Sequence, residues 1–393
     1  MKTVRDINAA GRRVFCRVDF NVPLTPEGRI SDDTRIRAAL PTIRHFRNQG
    51  ARLVLASHLG RPKGKRTPEF SLAPVAERLG ELLGAPVAFA PDCIGPEAQT
   101  QVDALEDGGI LLLENLRTHA GEQADDPGFA AALAALCEIY VNDAFAVCHR
   151  RHASVHAITD HIAEKAGGFL LEKELSCFNQ AMRAPARPLV AVVGGAKVSS
   201  KLSALRNMLD RVDRVIIGGA MANTFLKYTG LDMGTSLVEK DMLEAAGEVL
   251  QKAGEQGVRV YLPVDAVAAE RFDANAVNKT VPMDNLPPGW MVLDIGPATS
   301  SLYREVLDDA RTIIWNGPMG AFEMDAYSRG TFSMVETVAQ AHALTVVGGG
   351  DTDTAVHRAG AADRMSFIST GGGAFLTLME GKTLPAVAKL ENV

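Results

Sequence analysis

The chain has 393 residues, 47% hydrophobic and 22% charged. At roughly 100–200 residues per domain that is two or three domains, and the chain is too apolar for an intrinsically disordered protein. Its 41 Lys and Arg against 47 Asp and Glu leave a formal charge of −6, so the broad basic surface of a general nucleic-acid binder is missing. The 36 glycines with only 6% aromatics suit many tight strand-to-helix turns. Cys16, Cys93, Cys137, Cys148 and Cys177 form no CxxC pair and no zinc-type spacing with histidine; reduced thiols are expected. The opening MKTVRDINAAGRRV lacks the apolar core of a signal peptide, and no run reaches the roughly 20 apolar residues that span a bilayer. A cytoplasmic location is the expectation.

In chain order, short apolar runs predict strands at Val14–Val18, Leu53–Ala56, Val87–Phe89, Ile110–Leu113 and Ile139–Val141. A second series follows at Leu189–Val193, Val215–Ile217, Val258–Tyr261, Val292–Leu293, Ile313–Trp315, Thr345–Val347 and Phe367–Ile368. Between them lie helical patterns. Ile36, Leu40, Ile43 and Phe46 recur at helical spacing, with Pro41 expected to bend or shorten that helix. Ser71 is placed as the N-cap of a helix through Val75, Leu79 and Leu82. Alternating strand and helix predicts an α/β fold of two doubly wound, Rossmann-like parallel-sheet domains. The two halves differ in chemistry: seven of the nine histidines and sixteen arginines lie in the first 170 residues, whereas glycine clusters dominate the second series. Phe169, Leu170, Leu171, Leu175 and Phe178 mark a connecting hinge helix between them. The expected division is 1–170, a linker over 171–186, and 187–379.

Ligands of an open parallel sheet bind beyond the carboxyl ends of its strands. In the first half those ends carry Asp19 and Asn21, then His58 and Arg61, then Glu114, Asn115 and Arg117, then His149, Arg150, Arg151 and His152. Arginine forks match phosphate and carboxylate. Either these side chains converge on an anion, or they pair with carboxylates such as Glu114, Asp125 and Asp126. In the second half Gly194-Gly195 leads into Lys197 and Lys201, four residues apart. Read as a turn into a helix, this places both lysines on one helix face beside glycine amides able to meet a phosphate. Asp351, after Gly348-Gly349-Gly350, suits either a helix N-cap or a nucleotide-borne Mg²⁺. The Walker A pattern fails, since Leu376 stands where Gly381-Lys382-Thr383 needs a glycine; no GxGxxG or GxSxG opens a suitable turn.

The chain contains, in order, the blocks Val14 to Pro23, Ser57 to Pro62, Glu114 to Arg117, Gly194 to Val198, Trp315 to Pro318 with Phe322-Glu323, Gly348 to Thr352, and Ser369 to Gly373. Together these are similar to the signatures of the phosphoglycerate kinase family. They occur in family order. The resemblance implies reversible phosphoryl transfer from 1,3-bisphosphoglycerate to ADP, giving 3-phosphoglycerate and MgATP. It implies an N-terminal glycerate domain and a C-terminal nucleotide domain closing about a hinge. The tail 380–393 is implied to pack back on the first domain, and the enzyme to be monomeric. The resemblance assigns the glycerate phosphate to His58, Arg61, Arg117 and Arg150, and the glycerate end to Asp19 and Asn21. Arg35 is placed at the reacting carboxyl, Lys197 and Lys201 at the transferring and nucleotide phosphates, and Asp351 at Mg²⁺ with Thr352 beside it. Gly195, Ala196, Gly218, Gly219, Gly296, Asn316, Pro318, Glu323 and Gly350 are implied to serve the nucleotide, Glu323 at its ribose. Departures are Ser200 where Asp is frequent, Ala220 where glycine is frequent, and Arg151 where a small residue is frequent. A kinase for another small acid, and a two-domain binding protein without chemistry, remain the competing readings.

Overall fold

The computed structural model describes residues 1–391. The chain divides into two compact units: Met1–Leu175 together with the chain from Thr383 onward, and Ser176–Lys382.

The first unit runs β1 (Arg13–Arg17), α1 (Thr34–Asn48), β2 (Arg52–Ala56), α2 (Ala73–Leu83), β3 (Ala88–Ala90), α3 (Gly95–Asp103), β4 (Ile110–Leu113), α4 (Ala120–Gln123), α5 (Pro127–Ala134), β5 (Ile139–Asn142) and β6 (Glu164–Gly167). Its strands form one parallel sheet in the order β3-β4-β2-β1-β5-β6. Helices cover both faces, which is why the central strands read as unbroken apolar runs. One face packs Val14, Cys16, Leu53 and Leu55 against Ile36, Ile43 and Phe46 of α1. Pro41 neither ends nor shortens α1; it sits on the exposed side, where the carbonyl it leaves unpaired can meet water. Ser71 is not the N-cap of α2, a position taken by Leu72. Its Oγ instead accepts the Ala73 N–H and donates to Glu114. Strand β6 escapes a search for apolar runs because its sequence is Glu-Lys-Ala-Gly.

Helix α6 (Phe169–Met182) follows β6, and the division between the units falls inside it. Its first turn is anchored by Asp143, at the end of β5, which accepts the N–H groups of Leu170 and Leu171 at 2.8 and 3.1 Å. Gly168 is required there: a Cβ would lie 2.2 Å from the Asp143 carboxylate.

The second unit runs β7 (Leu189–Val193), α7 (Leu202–Leu209), β8 (Arg214–Ile217), α8 (Met221–Tyr228), α9 (Leu243–Glu255), β9 (Arg259–Tyr261), β10 (Asp265–Ala269), β11 (Asn278–Pro282), β12 (Met291–Ile295), α10 (Pro297–Leu307), β13 (Thr312–Asn316), α11 (Arg329–Gln340), β14 (Leu344–Gly348), α12 (Gly350–Arg358), β15 (Phe367–Ile368) and α13 (Gly372–Met379). Six strands make a parallel sheet in the order β15-β14-β13-β7-β8-β9, around a core that includes Trp315, Tyr303 and Val335. The remaining strands form an antiparallel sheet, β11-β10-β12. Val292–Leu293 belongs to this second sheet rather than to the parallel series. The last helix, α14 (Pro385–Glu391), packs with the first unit, where Lys389 pairs with Asp160 at 2.6 Å and Leu390 is buried.

Candidate active site

In the first unit β4, β2, β1 and β5 are neighbours, so the residues after their carboxyl ends meet. Arg17 ends β1 with no exposed surface. It donates to the Val18 carbonyl, to Ser154 Oγ at 3.0 Å and, through Nη2, toward His58 Nδ1 at 3.1 Å. Ser154 in turn donates its hydroxyl and its amide to the fully buried Glu122 at 2.7 and 2.9 Å. A buried cation and a buried carboxylate are thus joined through a serine. A guanidinium has no acceptor, so His58 Nδ1 is the accepting atom and the ring proton sits on Nε2. Burial, then Arg17, Arg117 and Arg35, push the His58 pKa well below its usual value. His58 therefore offers an anion a neutral N–H, not the positive charge that counting Arg and His together implies.

Around this pair the other expected residues assemble. Asp19 accepts Arg35 Nη1 at 2.7 Å and the Asn21 N–H at 3.2 Å. Asn21 Oδ1 accepts the Gly60 N–H at 2.8 Å, and Arg117 donates to the Gly60 carbonyl at 2.9 Å. Arg150 donates to His149 Nε2 at 3.2 Å, and Arg61 is exposed. Arg117 Nε, His149 Nδ1 and His152 Nδ1 are buried without a hydrogen-bond partner, His152 Nδ1 standing 3.9 Å from the Glu122 carboxylate. Burial first, then Arg17 and Arg150, bring Arg117 down to about 10; burial, Arg117 and Arg17 bring His152 down to about 3. The carboxylates that were to neutralise the arginines are committed elsewhere. Glu114 holds Ser71, Leu72 and Asn115; Asp125 holds His156 and Ala157; Asp126 caps α5 at Phe129. Among the described residues, no carboxylate pairs with Arg61, Arg117 or Arg150. Crowded positive charge beside unpartnered buried nitrogens is a field for an anion.

The second unit gathers its groups differently. Gly194 and Gly195 donate their N–H groups to the carbonyls of Asn316 and Pro318 at 2.9 and 3.0 Å. These amides are therefore not free to meet a phosphate. The glycines instead let three loops touch. A Cβ on Gly219 would lie 2.5 Å from Gly195 N, and one on Gly317 would lie 2.3 Å from Gly194 O, both at positive φ. Nor do Lys197 and Lys201 share a helix face. Residues 197–201 are irregular and α7 begins at Leu202, with Lys201 as its N-cap. Glu239 holds this segment out of the helix by accepting both the amide and the hydroxyl of Ser199. Lys197 is exposed. Lys201 Nζ turns back to the carbonyls of Gly194 and Asn316 at 2.7 and 3.0 Å. Burial lowers its pKa to about 8, against the opposing pull of Asp351.

Helices α12 and α13 start side by side: a Cβ on Gly372 would meet Gly349 Cα at 3.2 Å and Gly350 N at 3.5 Å. The opening N–H groups of each helix have no helical partner, and two dipole ends converge. Gly349, not Asp351, is the N-cap of α12. Asp351 lies in the first turn with an exposed carboxylate. Thr352 is buried and its Oγ1 accepts the Gly317 N–H at 2.7 Å; Asn316 spends its side-chain amide on the Gly348 carbonyl.

A cavity of about 490 Å³ opens beside these loops. Of the expected residues, Gly195, Ala196, Gly219, Pro318, Glu323 and Asp351 line it, whereas Lys201, Gly218, Gly296, Asn316, Gly350 and Thr352 do not. Gly218 leaves room for the Met319 sulfur. Gly296 leaves room for Asp265, whose carboxylate caps α10 at Ala298 and Thr299. The apolar wall comes from Leu237, Phe272, Met283, Met291 and Leu293, around and within the antiparallel sheet. Nothing in their spacing announces them. Arg17, Glu122 and Ser154 also escaped sequence reading; the one available signal was an arginine ending an otherwise apolar strand.

Comparison with known proteins identifies the family. The profile of the phosphoglycerate kinase family matches residues 4–382. The phosphoglycerate kinase of Desulfotalea psychrophila is 59% identical over 391 residues, covering 100% of both chains, and that of Geobacter metallireducens is 58% identical, covering 97% of this chain and 96% of its own. The solved structure of phosphoglycerate kinase from Coxiella burnetii superposes with a TM-score of 0.90 at 42% identity, over 99% of this chain and 98% of that one. With relatives this similar over their whole length, and an arginine-rich and a glycine-rich rim each at strand ends, the chain belongs to the phosphoglycerate kinase family.

Proposed function

We propose that the chain catalyses reversible phosphoryl transfer from 1,3-bisphosphoglycerate to ADP, yielding 3-phosphoglycerate and ATP. The observation that carries the reading is the pairing of two unlike anion sites in one chain. One is an arginine cluster in which no carboxylate pairs with Arg61, Arg117 or Arg150; the other is a glycine-lined cavity beside a half-buried lysine and two helix N-termini. In this reading the phosphate of the glycerate lies against His58, Arg61, Arg117 and Arg150. Asp19 and Asn21 take its hydroxyl end. The Asn21 oxygen is already committed to Gly60, so its NH₂ group does the contacting. The Asp19 ion pair fixes the Arg35 guanidinium at the carboxyl that gains or loses the phosphoryl group.

The nucleotide enters the cavity of the second unit with its phosphates toward Gly195, Gly219 and the start of α12, and Glu323 serves the ribose. Lys197 and Lys201 supply charge at the phosphates. Asp351 has an exposed carboxylate at the cavity wall, a fit for a hard cation arriving with the nucleotide; Mg²⁺ held there would neutralise phosphate charge. Transfer of this kind needs alignment and positive charge around the equatorial oxygens, and an acyl-phosphate leaves as a carboxylate, so no strong general base is required. The reading includes a hinge through α6 that closes the units and excludes water, a monomeric enzyme and a cytoplasmic location. Among the described residues no helix is long and apolar enough to cross a membrane.

The test is turnover of MgATP with 3-phosphoglycerate, the acyl-phosphate being consumed by a coupled reducing dehydrogenase. Saturable turnover in both substrates is expected; a folded preparation without turnover refutes the reading. Solution scattering with both substrates should show a smaller radius of gyration than with neither.

A further inference from the structure

Strand β3 is the edge neighbour of β4, and the residues after these two strands meet outside the arginine cluster. Asp92 and Cys93 follow β3; His119 follows β4, two residues beyond Arg117. His119 Nε2 lies 2.6 Å from Asp92 Oδ1, and Cys93 is fully buried. A carboxylate oxygen, a thiol sulfur and a ring nitrogen all stand within 4.8 Å of one another. The Asp92 oxygen also accepts the Cys93 N–H at 2.6 Å, and the His119 ring rests on Phe129 with centroids 5.3 Å apart. The trio is therefore oriented by the chain around it.

A tetrahedral ion at about 2.3 Å from sulfur and about 2.0–2.2 Å from nitrogen and oxygen sets its ligand atoms roughly 3–4 Å apart. The trio stands about an ångström from that closure. Thiolate with imidazole and carboxylate is a borderline-soft donor set, suited to zinc rather than magnesium. We propose that Asp92, Cys93 and His119 form a zinc-type cation site, with water completing the tetrahedron through the sides of Asp92 and His119 that face solvent. Those side chains are 34% and 31% exposed. Binding exchanges the Cys93 S–H bond for a sulfur–metal bond and releases that proton to solvent. It replaces the hydrogen bond that His119 Nε2–H gives Asp92 with two metal bonds; Nε2 gives up its proton to solvent and Nδ1 takes one up, so the ring stays neutral with its proton on the nitrogen that does not bind. The ion would tie the loop after β3 to the loop that carries Arg117. It would lie in the first unit, whereas the nucleotide's cation is assigned to Asp351 in the second, and the inference stands without the proposed reaction.

The test uses the full-length, nucleotide-free chain. Zinc is titrated against a chromophoric chelator, and cobalt(II) serves as the spectroscopic probe. One equivalent of zinc, and a thiolate-to-cobalt charge-transfer band in the near ultraviolet, are expected. Cys93→Ser should abolish the band. It should also weaken zinc by more than the roughly 10–100-fold that loss of an outer-shell partner costs. His119→Gln, at a partly exposed position, should weaken zinc by a similar factor and shift the band, and it stands as the readout if Cys93→Ser does not fold. Absence of the band, or zinc binding unchanged in either folded variant, overturns the site.

Discussion

In the proposed reading the two units place their anion sites on the same structural feature, the carboxyl rim of a parallel sheet, and build them from opposite materials. The first unit uses long side chains. Arg17, Arg35, Arg117 and Arg150 crowd one rim; Ser154 with Glu122, Asp19 and the Gly60 carbonyl fix the first three, and His149 holds Arg150. The second unit uses the backbone: glycines press three loops together, and one half-buried lysine is drawn beneath them. Side-chain forks suit a small rigid acid that must be gripped from several directions. Helix ends and close backbone suit a polyphosphate laid along a surface. On that reading one topology supports two kinds of anion recognition, and what differs is whether charge is carried by residues or by peptide dipoles.

The largest effect expected of a single change lies on the side-chain half. Arg35→Ala should lower kcat by about 10²–10³-fold, the range for removing one preorganised donor from a charged transition state, with nucleotide affinity nearly intact. Steady-state kinetics beside calorimetry of ADP binding would separate the two, and a normal kcat would remove Arg35 from the reacting centre. On the backbone half, Lys201→Ala should weaken ATP and ADP by roughly 10–100-fold, as expected for one charge-assisted bond. Unchanged nucleotide affinity in a folded variant would show that the glycine loops and helix ends suffice. Gly219→Ala should destabilise the protein by about 1–3 kcal/mol, because a Cβ at that positive φ strikes the Gly195 amide. A denaturation midpoint matching wild type would mean that the loops are not packed as described.

The smallest effect is one of pH. The Lys201 pKa is about 8 in the fold against 10.5 for an ordinary lysine. Between those values the unfolded chain holds a proton that the folded chain has released, so stability rises with pH across that window. Lys201→Met should flatten the rise in urea midpoints; an identical slope in both proteins would contradict the burial described for this lysine.

Much of this was legible in the sequence because it rests on apolar runs and on the residues that come directly after them. β4 and β7 lie where their residues predict, and His58, Arg117 and Asp351 do stand at strand ends. What was hidden is long-range. Lys197 to Lys201 carries helical spacing, but Glu239, 40 residues away, captures Ser199 and keeps the segment irregular. Gly194-Gly195 reads as a phosphate cradle, yet its amides are taken by the last residue of β13 and the loop after it, which no local pattern reveals. The apolar cavity wall comes from around and within an antiparallel sheet whose strands carry little chemistry. The Asp92, Cys93 and His119 cluster fits no spacing template, because its members come from two strand ends.

The most direct test of the division between the units is calorimetry of each substrate against two variants. Arg117→Ala should lose most of its affinity for 3-phosphoglycerate and bind ADP as wild type does, while Lys201→Ala should do the reverse. If either variant weakened both ligands equally while remaining folded, the assignment of one anion chemistry to each unit would be wrong.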